Sequence, residues 1–444
     1  MALLLQQNRQ LSIITESVQG DYETALDSSP DLEDNADFLL INPSITPSGA
    51  SSDRQIRTAT LTPTDQFAPG VSSVELSFST ELATSTFNLG ATDWVRAPVG
   101  RLLSYCGWRS VSKAEVDATT PSLIPVTWGG GPPEQGSELK HLEILTKANP
   151  ADAGRTFTCL GGGVDGLDTH IFAQTGTGAF PAVGENFQGG ETKTMVTVGT
   201  PSVLQRYLLY PVSDPASWNT ASAIYLQDGK RWRLKGMRGT AELQFEHAQP
   251  PRVVFTMRAV VESTTDAALI TRQKIAHQDP LPFLGTNFRL HDGTDEITGI
   301  VFNTMSIAQN NTLVLRENSS DSDGWSFTSI ASRAFTGSIN FDERTIADMP
   351  GTSDYHDYHK LGTLLHARML MSETPGAGRD WEARIEGLQF TSLAEADRDN
   401  FTTWDAQFAL RSRTFTSATT GENDHALGED SEIVLINTGA ATPP

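Results

Sequence analysis

Only two cysteines occur in 444 residues, Cys106 and Cys159. That is too few for a disulfide framework and suits a chain folded in a reducing compartment. No run of about 18 apolar residues exists, so neither a spanning helix nor membrane insertion is expected. The opening MALLLQQNRQ has an apolar cluster but no basic segment before it, unlike a secretory leader. Basic charge is scarce: 32 Lys and Arg stand against 54 Asp and Glu, a net charge of −22. Such a surface does not displace counterions from duplex DNA. It keeps a protein soluble, or lets it lie beside nucleic acid without adhering. The Gly-rich pieces around Gly129 to Gly131 and Gly161 to Gly163 lack the Lys-Ser/Thr of a phosphate loop. There is no G-x-S-x-G, no HExxH and no CxxC pair. The chain is therefore read as a non-enzyme without a cofactor.

What is present is β-rich punctuation. Residues 37–62, DFLLINPSITPSGASSDRQIRTATLT, set two β-prone runs around a polar span. Pro43 and Pro47 restrict the backbone and residues 48–53 carry turn chemistry. The pattern predicts a long hairpin arm whose tip leaves its own sheet and rests on another subunit. Before it, residues 1–36 are polar and acidic and read as an extended or partly disordered arm that orders against a neighbour. After it, Val74, Leu76 and Phe78 alternate with Ser73, Glu75 and Ser77, the signature of a half-buried antiparallel strand. In DWVRAPVGRLLSYCGW, Val95, Val99, Leu102, Leu103 and Cys106 recur near helical spacing, with Pro98 at the start and Gly107 at the stop.

Residues 111–220 break the pattern with WGGGPPEQG, CLGGGVDG, QTGTGAF and FQGGE, and read as an inserted loop-rich β module. A meander resumes at 221, with Asp228-Gly229 as a tight turn. Leu243 and Phe245, then Val253, Phe255 and Met257, alternate along it. From 266 to 414 the same order recurs: strands, a short helix at SDYHDYHKLG, then a meander. RGTAELQF near 238 echoes ARIEGLQF near 383, which suggests an internal duplication. The fold class expected is mainly β (α+β): two tandem β-barrel or sandwich domains, each with a short helix. The first spans 37–110 and 221–265, the second 266–414, and 415–444 form a polar tail with one strand.

Three clusters invite chemistry. Asp354, His356, Asp357 and His359 share a helix, and His356 and His359 lie three apart. A metal would need further ligands, and Thr352 and Ser353 are poor ones, so a solvated helix is expected. Asp321, Asp323 and Gly324 lack the ligand series of a calcium loop and read as a hairpin turn. Lys230, Arg231, Arg233, Lys235 and Arg238 surround Trp232. Strand alternation puts Arg231, Arg233 and Lys235 on one face, and Lys230, Trp232 and Leu234 on the other. The first face is expected to meet acid, such as residues 21–34 of another subunit.

Several segments together resemble the major tail tube proteins of long, non-contractile (siphovirus-type) phage tails. Glu16-x-x-x-Gly20 leads through an acidic stretch to Asn42-Pro-Ser-Ile-Thr-Pro47, as in that family. RLLSYCGW resembles its Leu-Leu-x-x-Cys-Gly segment, and LKGMRGTAELQFEHAQPPRVVFTMRAVVES its Gly-x-Arg-Gly-Thr strand and meander. FTGSINFDE and WEARIEGLQFTSLAEADRDNFTTWDAQFAL resemble its C-terminal half. The resemblance spans about two-thirds of the chain; residues 110–220 depart from it. It implies a virion protein assembled in the host cytoplasm, forming stacked rings with an inner β-barrel. The channel would hold the tape-measure protein and pass genomic DNA, both without specific recognition. Tail terminator and tail tip proteins would bind the ends. Six domains per ring favour three duplicated chains; a hexameric ring is the alternative. Contacts between subunits or rings are expected at Ser48, Gly49, Asp53, Arg54, Arg57, Arg231, Arg233 and Lys235. The other readings are a β-rich host-binding tail spike or adhesin and, further off, a glycan hydrolase with paired carboxylates.

Overall fold

The structure is a computed structural model. It describes residues 9–28, 40–49, 52–55, 64–67, 72–82, 84–85, 98–112, 120–128, 144–147, 156–162, 169–175, 186–189, 194–197, 202–203, 206–227, 229–268, 277–278, 280–284, 287–291, 296–297, 300–320, 324–342, 354–371, 377–398, 401–411 and 433–440. These are mainly strand, and most of the strands join one large antiparallel sheet.

In chain order the elements used below begin with β1 (Arg9–Thr15), α1 (Ala25–Ser28), β2 (Ile41–Gly49), β3 (Ser72–Glu81) and α2 (Pro98–Ser104). β4 (Trp108–Ser112), β5 (Arg206–Pro211), β6 (Ala221–Gln227), β7 (Lys230–Glu246) and β8 (Arg252–Asp266) follow. The later part holds β9 (Asn287–His291), β10 (Phe302–Ala308), β11 (Thr336–Asp342), α3 (Tyr355–Leu361) and β12 (Leu365–Met371). It closes with β13 (Ala377–Arg398), β14 (Phe401–Leu410) and β15 (Ile433–Ala440).

The pairing order of the first half recurs in the second. β1 pairs β6, β6 pairs β7, β7 pairs β8, β8 pairs β3 and β3 pairs β2. Likewise β9 pairs β12, β12 pairs β13, β13 pairs β14, β14 pairs β11 and β11 pairs β10. A short helix, α2 or α3, lies at the same place in each order, and each is followed by a left-handed glycine, Gly107 (φ 81°) or Gly362 (φ 64°). Only glycine adopts that conformation cheaply, so it ends the helix and turns the chain. One departure is informative. β8 runs along β7 as one strand, whereas β13 is covered on the same edge by two: β14 to Leu388 and β15 over 377–385.

The halves meet at a seam where β7 pairs β10, 242–246 against 304–308. The sheet stays two-faced across it. Val253, Leu243, Ile307, Gly337, Phe408 and Phe390 occupy successive opposite positions on one face. Apart from Gly337, these belong to the buried core, with Leu102, Leu103, Tyr355 and Tyr358 of the helices. Burial of each such side chain is worth about 1.5–3 kcal/mol. Gly337 has no side chain because a Cβ there would meet the Phe408 ring at 2.3 Å. The other face is polar: Arg252, Gln244, Ser306, Ser338, Gln407 and Ser392 form the matching row.

Two expectations are corrected. Residues 9–28 are not an extended arm: β1 belongs to the main sheet and Leu11 and Ile13 are fully buried. The acidic composition of 16–36 concealed the apolar alternation just before it. The inserted module is also narrower than 111–220. β4 and β5 pair with each other, and β5 pairs β15, so both stem strands belong to the main sheet. Among the described residues, seven strands between Thr120 and Val203 pair only among themselves. Six of them form a closed circuit of pairings, because Thr120–Trp128 pairs both Thr169–Thr175 and Thr194–Thr197. β2 pairs β3, and residues 56–62, the expected second run of the hairpin, lie outside the described residues. A second short hairpin, Ser52–Gln55 with Thr64–Phe67, stands between them.

Candidate assembly interface

Among the described residues β2 has a strand on one side only, which leaves its other edge open there. Thr46, Pro47 and Ser48 are exposed there. The second open edge is on β13. That strand takes β12 along 381–388, and beyond this the same edge carries no strand over 392–396 among the described residues. In the repeat, β2 occupies the place of β10 and β13 the place of β7. The two open edges are therefore the counterparts of the two edges already joined at the seam.

The backbone direction at the seam explains the prolines. The Gln309 amide donates to the Ala241 carbonyl (2.9 Å), and the Asn303 carbonyl accepts from His247 (3.0 Å). Odd positions from 303 to 309 thus aim their backbone groups at β7. β2 and β10 each have a bulge, after which Ser44 stands opposite Ser77 and Thr304 opposite Asn340. Residues 43, 45, 47 and 49 of β2 therefore aim outward. Pro43 and Pro47 sit where a missing N–H costs no bond within the sheet, which is where edge strands accept proline. Proline also blunts the edge against unspecific strand addition.

Glu16 and Gly20 hold the other notable site. Glu16 is buried, and its Oε2 accepts from the Gly20 amide (2.7 Å). Its Oε1 accepts from the Gly236 amide (2.7 Å) and the Ser222 hydroxyl (3.0 Å). Burial raises its pKa, partly offset by the bonds from Gly236, Gly20 and Ser222. Arg238 lies alongside; burial lowers its pKa to about 10, against the pull of Glu16. Its guanidinium donates to the Trp218, Asn219 and Thr328 carbonyls and lies over the Trp218 and Phe327 rings. Gly20 (φ 88°) and Gly236 (φ 60°) have left-handed backbones, and a Cβ on either would come within 2.6 Å of Ser326 or Phe327 backbone. The Glu-x-x-x-Gly segment is thus a closed turn. With Gly236 it forms the seat for the hairpin of Thr312–Glu317 and Trp325–Ser332, which belongs to the second half.

The expected contact residues are placed as follows. Ser48 and Gly49 end β2, and Asp53 and Arg54 lie in the short hairpin opposite Gln66 and Asp65. Arg57 lies outside the described residues. Arg231 and Arg233 do face acid, but from their own chain: Asp27 Oδ1 is 3.8 Å from Arg231 Nη1 and 2.8 Å from Arg233 Nε. Lys235 Nζ is 3.0 Å from Glu262 Oε2. Lys230 lies over the Trp232 ring at 4.3 Å. Asp354, His356 and Asp357 bring ligand atoms within 4.8 Å of one another, and Asp354 already caps α3 through the Asp357 amide (2.8 Å). Asp321 and Asp323 lie outside the described residues. Missed in the sequence were the open edge of β13, the Ser222 and Gly236 partners of Glu16, and Leu361. The Gln-Phe echo between β7 and β13 was the available signal for the first.

No family model matches this chain, and no curated protein matches it.

Proposed function

We propose that this protein is a structural subunit that polymerises into stacked rings, the tail tube of a long non-contractile phage tail. The observation that carries the reading is the pair of open edges on β2 and β13, counterparts of the joined β10 and β7. Repeating the β7–β10 seam between chains pairs β13 of one copy with β2 of the next, so that neither of these two edges stays open. Two repeats per chain make three chains a pseudo-sixfold ring; a ring of six chains is the other closed solution. Head-to-tail stacking of rings then gives an open filament.

The polar face suits the wall of a conduit. Ser79, Gln244, Thr304, Ser306, Ser338 and Gln407 lie on it with Glu81, Glu242, Glu246 and Asp405, and Arg252 stands opposite Glu81. A hydroxyl- and carboxylate-rich wall repels phosphates and lets DNA and a tape-measure protein slide. In this reading the two duplicated halves are tandem tube-type domains, the virion tail is the site of action, and terminator and tip proteins close the ends.

Negative-stain microscopy of the purified chain is the test. Rings or hollow tubes are the expected result, with symmetry counted from end-on views. A discrete soluble trimer that never polymerises overturns the reading and favours a host-binding spike.

A further inference from the structure

The seam inside the chain is capped by the residues that leave β10. Gln309 and Asn311 side-chain amides both donate to the Cys106 carbonyl, at 2.7 and 2.9 Å. Asn311 also donates to the Gly239 carbonyl (2.9 Å), and its own amide donates to the Thr240 hydroxyl (3.1 Å). Cys106, just before the left-handed Gly107 that ends α2, is fully buried, as is Gln309. So a segment of the second half covers the end of the helix of the first.

Among the described residues the second half repeats that helix end without a segment of the other half over it; Gln389 of β13 donates to the Gly362 carbonyl (2.9 Å). α3 ends at Leu361, just before the left-handed Gly362, and Leu361 is 73% exposed. An apolar side chain this open stands out on a helix whose Tyr355 and Tyr358 are buried. The carbonyl of its counterpart Cys106 accepts from the Gln309 side chain, and the counterpart of residue 309 in β2 is Gly49, five positions beyond the register match of Ser44 with Thr304.

We infer that Leu361 is a lateral docking point for a second copy of this chain, covered by the segment that leaves β2 at Ser48 and Gly49. This rests on the ring reading, and it assigns the root of the arm to the contact within a ring instead of between rings. The seam operation that carries the first half onto the second also carries the second half onto the first half of the next copy. Docking of β2 on β13 therefore brings the 48–49 root over Leu361, as docking of β10 on β7 brings Gln309 over Cys106.

The test places photoreactive benzoylphenylalanine at position 361 of the full chain and irradiates assembled material. The expected product joins position 361 to the peptide containing Ser48 and Gly49 of another chain. Because lateral contacts close on themselves, the covalent species should stop at three chains, or six in a hexameric ring. Assembly with the cross-link elsewhere, or an unlimited covalent ladder, overturns the lateral contact and leaves the ring reading standing. Failure of the unsubstituted chain to form any ring or tube overturns both. As a second measure, Leu361→Glu should raise the critical concentration for assembly at least tenfold while leaving the melting temperature of the monomer unchanged; an unchanged critical concentration overturns the proposal.

Discussion

Glu16 is a single carboxylate that binds three separate pieces of chain: the turn at Gly20, the strand start at Ser222 and the bulge at Gly236. Glu16→Ala would strand two backbone amides and a hydroxyl in a buried place. The expected loss is about 3 kcal/mol, read by denaturant unfolding. The sign of its pH effect follows from its raised pKa. Such a group contributes stability that is complete below its unfolded value and is lost as pH rises through the folded one. The melting-temperature difference between wild type and Glu16→Gln should therefore shrink as pH climbs from below 4.5, and level off beyond the raised value. A difference that does not change with pH contradicts this. Gly236→Ala tests the seat itself. A left-handed alanine with its Cβ 2.6 Å from the Phe327 backbone should cost about 3 kcal/mol. Proteolysis of the folded chain should then begin in the displaced Trp325–Ser332 hairpin strand.

At the scale of elements, the outward aim of residue 45 separates folding from assembly. Ile45→Pro removes an N–H that points away from β3, so it costs no bond within the sheet, while Pro43 and Pro47 have already removed its two neighbours. Gly49 would be left as the last outward donor of β2. Because the backbone there is already extended, chemical denaturation should show only the loss of Ile45's half-buried side chain from the core, about 1 kcal/mol. Sedimentation should show the loss of polymer; wild-type polymer from this variant would exclude β2 as the joining edge. These elements differ in how far they were legible. Alternation at Val74, Leu76 and Phe78 and at Val253, Phe255 and Met257 marked strands because one face is buried and the other wet. Pro98 and Gly107 bracketed α2, and the repeated order of strands and helix was visible in outline. The partners were not. That β2 pairs β3, or that β15 continues the edge begun by β14, depends on long-range register, which local pattern does not encode. The Glu16 site was half visible as a spaced Glu and Gly, but Ser222 and Gly236 lie more than 200 positions away. The basic face of β7 was legible by alternation, and only the origin of its acid, in the same chain, required the fold.

For the whole molecule, the strongly acidic balance and the inserted strands pose one question: what each part contributes to a polymer. The seven inserted strands pair only with one another, and the chain enters and leaves them through β4 and β5, which are already a ladder with Ser112 opposite Tyr207. Loop-closure cost grows only slowly with length, so replacing 113–205 by a short Gly-Asn turn adds no closure penalty. Both stem strands keep their partners, since β5 remains paired to β15. The excised chain should unfold in one transition at a melting temperature within a few degrees of the parent. It should also still form rings or tubes in the microscope, thinner by the missing module if the module stands on the outer wall. Loss of folding would show that the inserted strands support the main sheet, and loss of polymer with intact folding would show that they join subunits.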